Sequence, residues 1–254
     1  MNFGAFAAAV GVACVAWSAT ALGSPECRAS HELLDLGHPL GIAKKGVVDH
    51  KELRIVAMGS SSTQGYGAST PQFAYPAQLQ IRLSEAMPGV AVRVFNKGIG
   101  GQDAEEETAR MKSDVQPGDH LVIWQIGTNS AIKRMPLAKF ADKLRAGIDI
   151  GKSVGADFVL MNLQYVPAVV ALPDEEEYAR VTAEVAKEKG AGLFNRFDIM
   201  RTWYNDGMPY SQFVFNDGLH LNDFGQKCIG KLLSQAILGA VKPAQLTGAP
   251  KVGN

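Results

Sequence analysis

Four short polar segments hold the residues of this chain best suited to chemistry. The first is GSSSTQG (residues 59–65), three consecutive serines directly after the apolar run LRIVAM. The others are NKGIGGQD (96–103), GTNS (127–130) and NDGLHLND (216–223). Taken singly, each reads as local structure. Glycines after a strand make turns, Asn129 can cap a helix, Asp217-Gly218 is a turn signal, and a lone histidine is most often structural. Taken together, they are the parts of an acyl-transfer site. A serine hydroxyl is a weak nucleophile and needs a base within hydrogen-bond reach, a role open to His220. The imidazole needs a partner that fixes its tautomer and stabilises its cation, and Asp217 stands three residues earlier. The tetrahedral intermediate needs donors aimed at its oxyanion. Backbone N–H groups at Ser61 and near Gly101, with the Asn129 side-chain amide, would supply them.

For these segments to meet, the fold must bring several loops to one edge. The alternation of apolar runs and helical periodicity predicts that it does. LRIVAM from Leu53, VAVRVFN from Val90, HLVIWQIG from His120, DFVLMNL from Asp157 and AGLFN from Ala191 are short apolar runs of the kind buried parallel strands require. Between them, Tyr75, Leu79, Leu83 and Met87 recur every four residues, as a helix requires. DAEEETARM opens another helix with acidic residues where the macrodipole favours them. Leu137, Phe140, Leu144 and Ile148 mark a third, and Tyr178, Val181 and Val185, preceded by DEEE, a fourth. Phe224, Cys228, Leu232 and Ile237 mark the last. Strands separated by amphipathic helices imply an α/β fold with a parallel sheet covered on both faces, its working residues beyond the carboxyl ends of the strands.

The four segments resemble, in order and approximate spacing, the four blocks of the SGNH (GDSL-type) hydrolases, over residues 54–238. The resemblance implies a flavodoxin-like three-layer α/β/α sandwich with a five-stranded parallel sheet, the SGNH hydrolase fold. Gly59, Ser61, Thr63 and Gly65 match the nucleophile block, so the middle serine, Ser61, falls on the nucleophile. Gly101 and Asn129 match the oxyanion glycine and asparagine, and Asp217 and His220 the Asp-x-x-His block. Two positions depart from the family pattern. Ser60 stands where the family has aspartate, and Ser130 where it often has another. The nucleophile turn is not the Gly-x-Ser-x-Gly elbow of α/β-hydrolases, because Thr63 replaces the second glycine. No cluster has metal-ligand spacing, and GIGG follows the second strand rather than the first, so neither a metal nor a dinucleotide cofactor is expected.

The reading is a serine esterase hydrolysing carboxylic esters through an acyl-serine, with Ser61, Asp217 and His220 catalytic and Ser61, Gly101 and Asn129 as the oxyanion hole. Short acyl groups, above all acetyl, on a carbohydrate are the expected substrates. The alternatives are a lipid or aryl-ester hydrolase (lysophospholipase- or thioesterase-like) and a non-catalytic binding module on the same fold. QYVPAVVALP (164–173) reads as packing against a neighbouring helix, or else as an acyl groove; the other strand-end loops read as small and polar. With 25 basic against 25 acidic residues in 254, the chain lacks the basic excess of a nucleic-acid binder.

At the N-terminus, an apolar run from Phe6 to Trp17 leads to the small residues ALG before Ser24, which suits a signal peptide over residues 1–23. A retained membrane anchor and a lipoprotein through Cys14 are weaker readings, and no stable membrane insertion is expected after cleavage. Residues 24–52 then form an N-terminal connector, 53–241 the hydrolase domain and 242–254 a flexible tail, and the destination is periplasmic or secreted. Cys27 and Cys228 would form a disulfide in an oxidising compartment, or Cys228 is simply a small buried hydrophobe on a late helix.

Overall fold

The computed structural model describes residue 1 and residues 26–241, so the signal-peptide and tail segments lie outside the described residues. Five parallel strands, β1 (Glu52–Gly59), β2 (Ala91–Gly98), β3 (Leu121–Gln125), β4 (Asp157–Met161) and β5 (Gly192–Phe194), form one sheet in the order β2-β1-β3-β4-β5. That is the flavodoxin-like order, and its switch point lies between β1 and β3, where the chain stops growing the sheet one way and starts the other. Every residue of β3 is buried, and so is each of Ile55 to Gly59 in β1. These strands have apolar side chains on both faces because helices cover both.

Right-handed crossovers put the β1–β2 helix on one face and the helices of the later crossovers on the other. Tyr75–Ala86 accordingly packs against the last helix, Asp223–Val241. Ala104–Asp114, Leu137–Ser153 and Glu175–Glu188 pack side by side. The acidic start of the second crossover helix is a full capping box: Asp103 accepts from the N–H groups of Glu105 and Glu106, and Glu106 accepts from the N–H of Asp103. One acid of that helix turns inward. Glu107 is fully buried and receives the Trp124 indole N–H at 2.6 Å. Burial pushes its pKa well above the ordinary glutamate value, which favours the neutral acid there.

Residues 30–51, with glycine and proline throughout, fold onto this frame. Short helical turns span His31–Leu34, Gly41–Lys45 and Gly46–His50, and Leu36, Leu40, Ala43 and Val47 join the core. The Leu36 carbonyl accepts from Leu193 N–H, so this segment covers the β5 edge. Cys27 is disulfide-bonded to Cys228, with Cα atoms 5.2 Å apart and 201 residues between them in sequence. Among the described residues no helix is long and apolar enough to cross a membrane.

Closing so long a loop restricts the unfolded chain. In the loop-entropy account the bond contributes up to about 5 kcal/mol. Thiol titration of the denatured, unreduced protein is expected to find Cys27 and Cys228 both oxidised, with reduction lowering the melting temperature. Free thiols at both positions before reduction would contradict this.

Candidate active site

Ser61 begins a single helical turn, Ser61–Gln64, immediately after β1. The turn is wedged against the end of β2, where a Cβ on Gly98 would lie 2.1 Å from the Gln64 nitrogen. Only glycine permits that approach, and the Asn96 amide completes it by donating to the Thr63 carbonyl at 2.8 Å.

The late loop forms a tight hairpin. Val214 bridges Leu221, Phe215 N–H donates to the His220 carbonyl, and Gly218 N–H returns to the Phe215 carbonyl. This aims His220 at the serine, with Nε2 2.8 Å from Ser61 Oγ. On its other side Nδ1 is 2.6 Å from Asp217 Oδ2. Partial burial pushes the Asp217 pKa up. The N–H groups of His220 and Leu219, each 2.9 Å from Oδ1, and the imidazole itself outweigh that and hold it below its usual value. An ionised Asp217 can only accept, so the proton belongs on Nδ1 and the Nε2 lone pair faces the serine hydroxyl.

The loop after β2 supplies donors. Gly100 N–H is occupied by Gln64 Oε1 at 2.9 Å. Gly101, at φ +80° and open to the left-handed region as a glycine, has an N–H with no partner among the described residues, and so does Ser61. Asn129 lies in the turn after β3, with one side-chain N–H donated to the Gln102 carbonyl at 2.7 Å. That bond joins the β2 and β3 loops and leaves the second amide proton of Asn129 unassigned. The structure thus brings Ser61, Gly101, Asn129, Asp217 and His220 to the carboxyl ends of β1, β2 and β3 and the adjoining hairpin. The geometry suits proton transfer from a serine to an imidazole beside unpaired N–H donors.

Three glutamines that the motif reading passed over hold these segments together. Gln125 Oε1 accepts from Ser60 N–H (3.1 Å), Ser60 Oγ (3.3 Å) and Thr63 Oγ1 (3.1 Å). A buried neutral amide thus faces the position where the resembling family has a carboxylate. Tyr75 extends the network to Thr63 at 3.1 Å, and burial raises its pKa to about 12, so it stays a phenol. Gln164 Oε1 accepts from Ser62 Oγ and Thr128 Oγ1, both at 3.2 Å, while its amide donates to the Leu219 carbonyl at 2.9 Å. One side chain therefore ties together the nucleophile turn, the Asn129 turn and the histidine hairpin. Gln226 accepts from Tyr75 N–H at 2.9 Å and reaches the Ser62 carbonyl. The available signal was a polar residue ending an apolar strand run, as in LVIWQ and LMNLQ. Ser130, the second departure, accepts from Ala104 N–H at 3.1 Å and so anchors the Asn129 turn to the neighbouring helix.

Val166 and Val169 of the segment 164–173 are buried in the core, while Tyr165, Pro167, Ala168, Val170 and Leu172 are half-buried beside the histidine hairpin, where Ala168 N–H donates to the Gly218 carbonyl. The remaining strand-end loops are not uniformly small and polar. Tyr66, Ile99, Ile132 and Phe215 are exposed large hydrophobics. Tyr66 and Ile99 each stand between glycines, which leave a lone large side chain without neighbours to bury it.

Residues 26–243 match the family described as non-GDSL lipase-like. No curated protein matches the chain. Among solved structures, CEX, a two-domain esterase active on acetylated mannans, superposes with a TM-score of 0.64 at 17% identity over 83% of this chain. The match covers 56% of CEX, so the chain spans little more than half of that protein. TesA matches with a TM-score of 0.61 at 23% identity, over 75% of this chain and 98% of its own. Axe2, an acetylxylan esterase from Geobacillus stearothermophilus, matches with a TM-score of 0.59 at 20% identity, over 75% of this chain and 94% of its own. At these identities the structural likeness establishes a shared fold.

Proposed function

The chain belongs to the non-GDSL lipase-like family; on that premise we propose that it is an ester hydrolase of the SGNH type and that it removes short acyl groups, above all acetyl, from a carbohydrate. The observation that carries the esterase chemistry is the continuous hydrogen-bond chain from Asp217 through His220 to Ser61. In this reading Ser61 Oγ attacks the ester carbonyl while His220 Nε2 takes its proton. The oxyanion is received by the N–H groups of Ser61 and Gly101 and by the Asn129 amide. The C–O bond to the alcohol breaks as His220 returns the proton to the leaving oxygen. Water, activated by the same imidazole, then releases the acid from the acyl-serine. No step calls for a metal or an organic cofactor.

The preference for a short acyl group is supported by the burial of Val166 and Val169, which takes two of the apolar side chains of the segment 164–173 into the core. The carbohydrate alcohol is supported by the acetylated-glycan activities named for CEX and Axe2. Export to the periplasm or beyond is supported by the Cys27–Cys228 bond, since such bonds persist in oxidising compartments. We place the catalytic domain at 53–241, with 24–52 as its N-terminal connector.

A p-nitrophenyl ester series from acetate to decanoate tests the acyl reading. kcat/KM is expected to peak at acetate or propionate and to fall with length. Each buried methylene would otherwise contribute about 0.8 kcal/mol in favour of longer chains. An optimum at octanoate or beyond would replace the deacylase reading with the lipid one.

A further inference from the structure

We infer that the cleft beside His220 seats the alcohol half of the ester, and that its occupant is a sugar ring of an acylated polysaccharide. This rests on the esterase reading above and adds where the sugar lies. The cleft has a volume of about 590 Å³, and its walls include Tyr66, Ser69, Phe215, Asn222, Asp223 and Phe224. Tyr66 is the wall it shares with the triad, its ring centroid 4.4 Å from that of His220. The backbone there is tight as well, for a Cβ on Gly67 would lie 3.1 Å from His220 Cβ.

The position of the cleft assigns it to the alcohol. When the acyl-serine forms, the ester C–O bond breaks and the proton held by His220 Nε2 passes to the departing oxygen, so the alcohol leaves neutral. That oxygen must therefore lie within reach of Nε2, and whatever is attached to it extends along the imidazole side. The other two oxyanion donors, Gly101 and Asn129, come instead from the loops after β2 and β3, which are joined by the Asn129–Gln102 bond. A cleft walled by the aromatic ring that touches His220 thus receives the leaving group.

Its chemistry suits a pyranose. Tyr66 and Phe215 are large aromatic side chains 57% and 41% exposed. Such rings cover the apolar C–H face of a sugar ring, while the sugar's hydroxyls need fixed polar partners. Asp223 provides them: Oδ1 accepts from Ser69 N–H and Oδ2 from Ser69 Oγ, both at 2.7 Å. The carboxylate is locked in place with lone pairs left for sugar hydroxyls. An alkyl chain there would strip water from that carboxylate and return no hydrogen bond.

The test compares two alcohols and two acyl groups. Wild type, Phe215→Ala, Phe215→Trp and Asp223→Asn are assayed on acetylated xylotetraose, acetylated mannotetraose, methyl acetate and methyl hexanoate. Phe215→Ala is expected to lose at least about tenfold more kcat/KM on an acetylated oligosaccharide than on methyl acetate, the scale of one lost aromatic burial. The loss should fall mainly in KM, Phe215→Trp should restore it, and Asp223→Asn should show the same selectivity for the oligosaccharide. Methyl acetate turnover reports that the triad is intact and the variant folded. Equal losses on methyl acetate and the oligosaccharides overturn the subsite and leave the esterase standing. A loss that follows acyl length, larger on methyl hexanoate, overturns it in favour of an acyl pocket. A wild type inert toward all four esters removes the esterase reading and the subsite with it.

Discussion

Ser61→Ala is expected to lower kcat on acetate esters by about a millionfold, the scale seen when a serine nucleophile or its histidine is removed from a triad. The hydroxyl lies 2.8 Å from His220 Nε2, and the imidazole is braced by Asp217 at 2.6 Å, so deleting Oγ leaves the rest of the apparatus without an attacking atom. His220→Ala should cost about as much, and the double variant little more, because the two act as one unit. Melting temperature should change little in Ser61→Ala, since the side chain is half-buried and its hydrogen bond is to His220 alone. The neighbouring serines should behave differently. Ser60 and Ser62 direct their hydroxyls to Gln125 and Gln164, away from His220, so their alanine variants should keep a measurable fraction of activity. A fluorophosphonate probe should label Ser61 and no other serine of the turn. Peptide mapping that placed the label on Ser60 or Ser62 would overturn the assignment.

Asn129→Ala should lower kcat by on the order of a hundred- to a thousandfold with little change in KM, the cost of one oxyanion donor. The reason for the split is that the donor pairs with charge that exists only in the transition state. One side-chain N–H is already donated to the Gln102 carbonyl, which fixes the amide plane and pre-aims the other proton. The same bond ties Asn129 to the loop that carries Gly101, so the two proposed donors move as a unit. Asn129→Asp makes a sharper test. It keeps the size but places an acceptor, and at neutral pH a negative charge, where the oxyanion forms. It should therefore be worse than alanine. An effect confined to KM in both variants would take Asn129 out of the oxyanion hole.

The sheet and its main helices were legible because each is written in local periodicity. Apolar runs ending in glycine or polar residues predict β1 to β5, and spacings of three and four predict the helices Tyr75–Ala86, Leu137–Ser153 and Asp223–Val241. The core spacing of Leu36, Leu40, Ala43 and Val47 is also helical, yet the surrounding glycines and proline outweighed it and the stretch read as a connector. Helix Arg196–Asn205 was missed although its buried Arg196, Ile199, Met200 and Trp203 fall at i, i+3, i+4 and i+7, because an arginine in that stripe reads as surface and breaks the apolar pattern.

The sequence alone determined the inventory of the candidate site: a serine, a histidine three residues after an aspartate, an asparagine and a glycine, each in a segment that local pattern places at a strand end. Those are properties of residue type and spacing, so they survive in one dimension. What only the tertiary structure decided are relations between segments far apart in the chain. It selected the disulfide over the buried-thiol reading for Cys27 and Cys228, 201 residues apart, since sequence distance says nothing of Cα separation. It put neutral Gln125 behind Ser60 and let Gln164 clamp three loops, roles no glutamine announces by its neighbours. It also folded Tyr66 and Phe215 to one cleft beside His220, although about 150 residues separate them in the sequence, more than any local pattern can span.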